Sequence, residues 1–198
     1  MTIAVVGAPD GLGGRLAAAL SATSLSFDPV LDREYSGLVI VVGADPRPSP
    51  GPLAAIDAGE WRRDAEAVPL RAMHILQRAH ALMAKREGRI VVVTPTISLP
   101  GAANLVAYLT GIEGVRAMAK SAARQWAADR ISLNLVAVPL QLFDPELGQY
   151  TKHMTATPYT DVDLLPSVTT TVKFLLEDAA QELTGTTITA DGGSVMLP

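Results

Sequence analysis

The chain has 198 residues, 48% hydrophobic and 18% charged, which suits one compact domain over residues 1–198 with a sizeable core and excludes disorder. Its 20 acidic and 16 basic residues leave a formal charge of -4 and no cluster of Lys and Arg, which argues against nucleic acid and membrane surfaces as partners. With no cysteine, no metal spacing among His74, His80 and His153, no basic leader before Ile3 and no apolar run long enough to cross a bilayer, the expectation is a cytoplasmic protein without metal or thiol chemistry.

Strand and helix patterns alternate from there. "TIAVVGA" (Thr2 to Ala8) reads as a buried strand and "GLGGRLAAALSA" as a helix opened by glycines. "GLVIVVGA" (Gly37 to Ala44) is a second buried strand, followed by "DPRPSPGP", whose four prolines make a stiff connector. Residues from about 60 to 87 read as a long helix ending at Gly88 and interrupted near Pro69. Then follow the strand "GRIVVVTP", a long helix around Tyr108, the strand "ISLNLVAVP", an irregular stretch, a helix near Pro166 to Glu177 and a last strand "GTTITA". This alternation predicts an α/β fold, a parallel sheet with helices on both faces.

In "VVGAPDGLGGRL", Gly7, Gly11 and Gly13 fall in a strand-turn-helix. Glycines there permit a tight turn and let backbone N–H groups at the helix start approach a phosphate; a close turn with nothing bound has the same spacing.

Taken together, the motifs resemble the short-chain dehydrogenase/reductase family over nearly the whole chain. Gly7, Gly11 and Gly13 match its G-x-x-x-G-x-G turn, "GRIVVVT" looks like its central strand, and Tyr108 stands where its catalytic tyrosine belongs. "NLVAVP", with Asn134 and Pro139, is similar to its N-x-V-x-P-G strand end, and "TGTTITADGG" (Thr184 to Gly193) to its C-terminal signature. The resemblance implies a doubly wound Rossmann sheet, assembly as dimers or tetramers, and a nicotinamide cofactor bound across the strand ends.

Its catalytic set does not carry over. The family's serine falls at Pro95, its lysine at Ile112 and its helix asparagine at Pro69, while the N-N-A-G strand end reads Ile40, Val41, Val42, Gly43. Tyr108 and the glycines Gly7, Gly11, Gly13 and Gly43 remain, the latter as a vestigial or weak cofactor site. Without a neighbouring ammonium, a phenol of pKa near ~10 is ionised to about one part in a thousand at pH 7, and an isoleucine beside it raises the pKa further by desolvation. Proline in place of serine leaves a substrate carbonyl one donor short. The P-G turn is Pro139-Leu140, and no serine or threonine occurs between it and Thr151 to hold a nicotinamide amide.

The resemblance also exposes a deletion. Between Gly7 and Leu38 there is room for roughly one strand-helix-strand unit of ~30 residues, where the family places two further strands with their helices and the adenosine pocket. If the first helix keeps its usual face, a direct link to the strand at Leu38 would be left-handed, which parallel crossovers avoid, so either the helix changes face or an extra strand intervenes. A short edge strand "SLSFD" (Ser24 to Asp28) resolves this, because Pro29 to Gly37 can span up to ~30 Å behind the sheet; the alternative is a plain loop from Ser24 to Gly37.

Along the tyrosine helix, Leu105, Tyr108, Leu109, Ile112, Val115, Ala119, Ala122 and Trp126 form an apolar stripe. The preceding helix offers Met73, Leu76, His80 and Met83, and the family pairs these two helices across a two-fold axis. Gly111 and Gly114 would admit a neighbouring backbone. Gln141 to Pro166 resembles the family's substrate lid, with Tyr150, His153, Met154 and Tyr159. Three functions stay open: a catalytically degenerate subunit of a homo-oligomer or of a hetero-oligomer with an active relative, with no NAD(P) or weak NAD(P); an NAD(P)-dependent oxidoreductase with an atypical site using Tyr108; or a protein that binds a small molecule without turnover.

Overall fold

The computed structural model describes residues 2–27, 31, 35–43, 45, 47–84, 86–152, 154 and 162–196. Its strands are β1 (Ile3–Val6), β2 (Thr23–Leu25), β3 (Gly37–Val41), β4 (Gly88–Pro95), β5 (Ile131–Val138) and β6 (Thr187–Thr189). The helices are α1 (Leu12–Ala19), α2 (Ala58–Trp61), α3 (Ala67–Met83), α4 (Val106–Trp126) and α5 (Leu165–Leu176). All strand pairs are parallel, in the order β2-β1-β3-β4-β5-β6. This is the doubly wound Rossmann-type sheet, shortened before residue 38, that the motifs predict.

The core follows from the β-branched runs. Every residue of β3, β4 and β5 is buried, as expected for central strands covered on both faces. Helices α1 and α5 touch one another, as do α3 and α4. Right-handed crossovers place the first pair on one face and the second on the other.

The edge strand exists, one residue earlier and shorter than "SLSFD" suggests: Thr23–Leu25 pairs with Ala4–Val6, and Asp28 lies outside the described residues. The chain therefore keeps one of the two strands thought missing. Of the described residues between β2 and β3, Phe27, Leu31 and Tyr35 join the core, with the Arg71 guanidinium of α3 5.0 Å from the Phe27 ring centroid.

The long helix differs from the expected 60–87. It begins at Ala58, where Asp57 accepts from the N–H groups of Gly59 (2.7 Å) and Glu60 (2.8 Å) while the Glu60 carboxylate accepts from Asp57 N–H, a full capping box. The break falls before Pro69, in a π-helical turn over Arg62–Glu66, with Pro69 inside the first turn of α3. Proline has no N–H and its ring crowds the carbonyl four residues back, so the strain is relieved upstream by widening the turn. The helix ends at Met83, and Gly88 starts β4 instead of capping it.

A candidate cofactor cleft

The chain runs from β1 to β2 in one direction and from β2 to β3 in the other, so the sheet reverses between β1 and β3. In open α/β sheets, ligands bind at such a reversal, outside the carboxyl ends of the strands. Three predicted residues meet there. A Cβ on Gly7, just after β1, would lie 3.1 Å from the Cβ of Val41 at the end of β3 and 3.3 Å from the Cα of Gly13 in α1. A Cβ on Gly13 would come within 3.0 Å of the Ala8 carbonyl. These two glycines let strand and helix close on one another. Gly11 is less constrained, with ordinary contacts only. Gly14, which spacing did not single out, is the most constrained: its Cβ would stand 1.7 Å from the Pro9 carbonyl oxygen.

Tyr108 is also brought to the cleft, but its hydroxyl is already used. It donates to the backbone carbonyl of Gly43 at 2.5 Å, and the side chain is 2% exposed. Burial pushes its pKa well above the ordinary tyrosine value. One turn later, Ile112 is fully buried in the core, so the lysine position is dry. Pro95 closes β4, and the nearby Ser98 hydroxyl donates to the Pro95 carbonyl (3.0 Å), so it serves its own backbone.

The segment after β5 completes the cleft. Leu140 and Leu147 are anchored in the core, and between them Phe143, 7% exposed, turns its ring onto Gly43. A Cβ on Gly43 would lie 2.7 to 2.9 Å from three ring atoms. The Phe143 carbonyl faces Gly11, 3.9 Å from where its Cβ would be, and the Arg15 guanidinium donates to the Leu142 carbonyl. Arg47 closes the arrangement from the loop after β3, with ion pairs to Asp144 (2.9 Å) and Glu146 (2.5 Å).

These observations test the implied nicotinamide dinucleotide. The glycine turn has the close strand-helix packing that a diphosphate needs. The other end does not fit: Ile112 offers no donor, Tyr108 is committed to Gly43, and the Phe143 ring lies on the strand end where the cofactor would run.

Other predicted residues prove structural. Asn134 bridges β5 to the loop before β6, donating to the Leu183 carbonyl (2.7 Å) and accepting from Thr186 N–H (3.2 Å). Asp191, 2% exposed, accepts from Gly193 N–H, the Ser194 hydroxyl and Val195 N–H and so ties the C-terminal turn. Gly111 admits a backbone, as predicted, but that of the same chain: its Cβ would lie 2.5 Å from the Asp64 carbonyl in the π-helical turn. Gly114 faces the Pro69 ring.

The tyrosine-helix stripe is buried except for Trp126, which is partly buried against the core, and of the α3 set Leu76 and Met83 are core while Met73 and His80 are half-buried. His80 pairs with Asp129 (2.8 Å) and stacks on Trp126, with ring centroids 4.8 Å apart. His74 is exposed in a groove of about 540 Å³ with Phe27, Asp45, Leu70 and Arg71. Of the lid residues, Tyr150 and Met154 pack against the core, whereas His153 and Tyr159 lie outside the described residues. Among the described residues no group of side chains could hold a metal ion, and no helix is long and apolar enough to cross a membrane.

Residues 31–195 match the family model described as Enoyl-(Acyl carrier protein) reductase. A tropinone reductase homolog of Arabidopsis thaliana is 34% identical over 129 residues, 62% of this chain and 47% of that protein. Cis-4-hydroxycyclohexanecarboxylate dehydrogenase of Sinomonas cyclohexanicum is 30% identical over 85% of this chain and 71% of its own. Nodulation protein G of Rhizobium sp. (strain N33) is 26% identical over 84% and 70%. The matched stretch thus spans about half the length of the first relative and some seven tenths of the other two. Among solved structures, acetoin dehydrogenase from Enterobacter cloacae superposes with a TM-score of 0.77 at 18% identity, over 98% of this chain and 94% of that one, a likeness of fold.

Proposed function

Because the chain belongs to the short-chain dehydrogenase/reductase family, we propose that it is a catalytically degenerate member, a structural or regulatory subunit of an oligomer built from its own copies or shared with an active relative. The observation that carries this is the state of Tyr108. Its hydroxyl is buried and donated to the Gly43 carbonyl, while the position of the supporting lysine is a fully buried isoleucine. A phenol so placed has its proton committed to a backbone carbonyl, and burial holds its pKa away from neutrality. The serine position, Pro95, adds no donor.

The subunit role draws support from the outward side of α4, where Thr110, Ala117 and Ser121 are exposed and small, and from α3, where Leu70 is 52% exposed. Such a surface suits helix-on-helix contact with a second chain, whereas the inward faces are consumed by the sheet. The α3/α4 pairing that the family makes across a two-fold axis would use these residues in place of Gly111 and Gly114.

Calorimetric and fluorescence titration with NADH and NADPH tests the reading, alongside light scattering of the purified chain and of whatever copurifies from the native host. The expected result is binding no tighter than about millimolar, worth roughly 4 kcal/mol, and a mass above that of one chain. Saturation at micromolar dinucleotide with turnover of a small ketone would instead make the protein an oxidoreductase working through Tyr108. Micromolar binding of a small molecule without turnover would make it a binding protein.

A further inference from the structure

The crevice between β1 and β3 is not vacant ground. We infer that Phe143 is its built-in occupant, so that a dinucleotide reaches the glycine turn only after the segment around Phe143 has been displaced. This rests on the non-catalytic reading above and gives it a cause beyond the lost side chains.

One residue bridges both rims of the crevice. The Phe143 ring covers Gly43 so closely that even a methyl group there would meet ring carbons at 2.7 to 2.9 Å, and its carbonyl faces Gly11 on the opposite rim. Tyr108 grips the same Gly43 through its carbonyl, so this glycine is held between an aromatic ring and a phenol hydroxyl. The electrostatics are also turned inward. A phosphate at a helix start is drawn by free N–H groups and by nearby cations. Here Arg15, in the first turn of α1, gives its guanidinium to the Leu142 carbonyl, and Arg47 gives its own to Asp144 and Glu146. The segment thus engages with its own oxygens two cations that border the crevice and lays a hydrophobic ring between the rims.

The fastening is uneven, which decides how it could open. Leu140 and Leu147 are core residues and act as hinges. The Arg47–Glu146 pair is solvent-exposed, with side chains 52% and 74% accessible, and contributes little, and Arg47 itself stays half in water in its pair with the half-buried Asp144. Burial of the Phe143 ring is therefore the main restraint on the middle of the segment.

Two measurements test this. In the first, NADH affinity is compared between the wild-type chain, Phe143→Ala, and Arg15→Ala, the last removing an exposed side chain without opening a cavity. Phe143→Ala is expected to bind NADH at least tenfold more tightly than wild type, and Arg15→Ala to gain in the same direction by less. In the second, a double-mutant cycle by denaturant unfolding combines Gly43→Ala with Phe143→Ala. Gly43→Ala should destabilise the wild-type background and cost much less once the ring is gone. An unchanged NADH affinity in Phe143→Ala beside a weak wild type would overturn the occluding role alone. Equal costs of Gly43→Ala in both backgrounds would overturn the placement of the ring. Tight NADH binding by the wild-type chain would instead refute the non-catalytic reading.

Discussion

Replacing Ile112 by lysine restores the family's residue at a position where this chain has no place for its charge. Ile112 is 0% exposed, in the same core as Tyr108, Val115 and Ala119. An ammonium there must find a partner, drag water in, or give up its proton. The last route sets the scale: neutralising a lysine of ordinary pKa ~10.4 at pH 7 spans about 3.4 pKa units and costs about 4.6 kcal/mol. For a chain of this size each kcal/mol moves the unfolding midpoint by about 2–4 °C, so a fall of about 9–18 °C is expected. The sign of the pH dependence follows. In the folded variant the lysine is neutral, and in the unfolded chain it is charged below pH ~10.4, so the unfolded state binds one more proton and stability rises with pH by about 1.4 kcal/mol per unit between pH 7 and 10. Thermal and denaturant unfolding of wild type and Ile112→Lys across that range measures both. A variant as stable as its parent, with no difference in pH slope, would show a wet cavity at residue 112 and refute the reasoning from burial.

The triple substitution Ile112→Lys, Pro95→Ser, Pro69→Asn should remain without measurable carbonyl reduction on a panel of small ketones and acyl thioester ketones, because Phe143 and the shortened stretch before β3 still exclude the dinucleotide; turnover above the blank would contradict this. Gly14→Ala should destabilise by about 3 kcal/mol, since its Cβ would sit 1.7 Å from the Pro9 carbonyl, whereas Gly51→Ala, with nothing within 4 Å, should stay within about 0.5 kcal/mol of wild type. Denaturant midpoints separate the two. In an alkaline absorbance titration, Tyr108 should stay protonated at the pH where an ordinary tyrosine ionises, because burial raises its pKa. The unfolded chain then loses a proton that the fold retains, so this group's contribution to stability is complete below pH ~10 and declines above it. A Tyr108→Phe variant with one fewer ionisation below pH ~10 would refute the claim.

Much of the fold was legible because parallel strands buried on both faces are written as unbroken β-branched runs, as in "RIVVV" and "LVIVV". The handedness of crossovers favoured an edge strand over Ser24 to Asp28 against a plain loop, and one stands at Thr23–Leu25, whose own residues carry little pattern. Helix breaks were less legible: Pro69 marks a disturbance, but whether it is relieved by a kink or by a wider turn upstream depends on what α4 presents, here Gly111 against the Asp64 carbonyl. At the site, the resemblance to the family already implied that its lysine and serine positions fall at Ile112 and Pro95. The roles of Phe143 and Arg15 could not be read, since a phenylalanine in a loop and an arginine on a helix have no periodic signature, and their contacts join residues far apart in the chain, as between Arg15 and Leu142. Gly14 was hidden beside Gly13 for a simpler reason: it lies outside the G-x-x-x-G-x-G spacing, and its need for a bare Cα shows only in its approach to the Pro9 carbonyl.

The ladder between β4 and β5 runs in register through eight residue pairs, from Gly88 and Ile131 to Pro95 and Val138, every one buried, while β2 and β6 contribute three residues each at the two margins. Local opening therefore has a spatial order. Amide hydrogens of β2 and β6 will exchange with solvent through small fluctuations at the borders, and those of β4 and β5 only when the whole molecule unfolds. Because β1 lies between the frayed β2 and the locked β3, the glycine turn at its end rides on the boundary between a labile rim and a rigid interior.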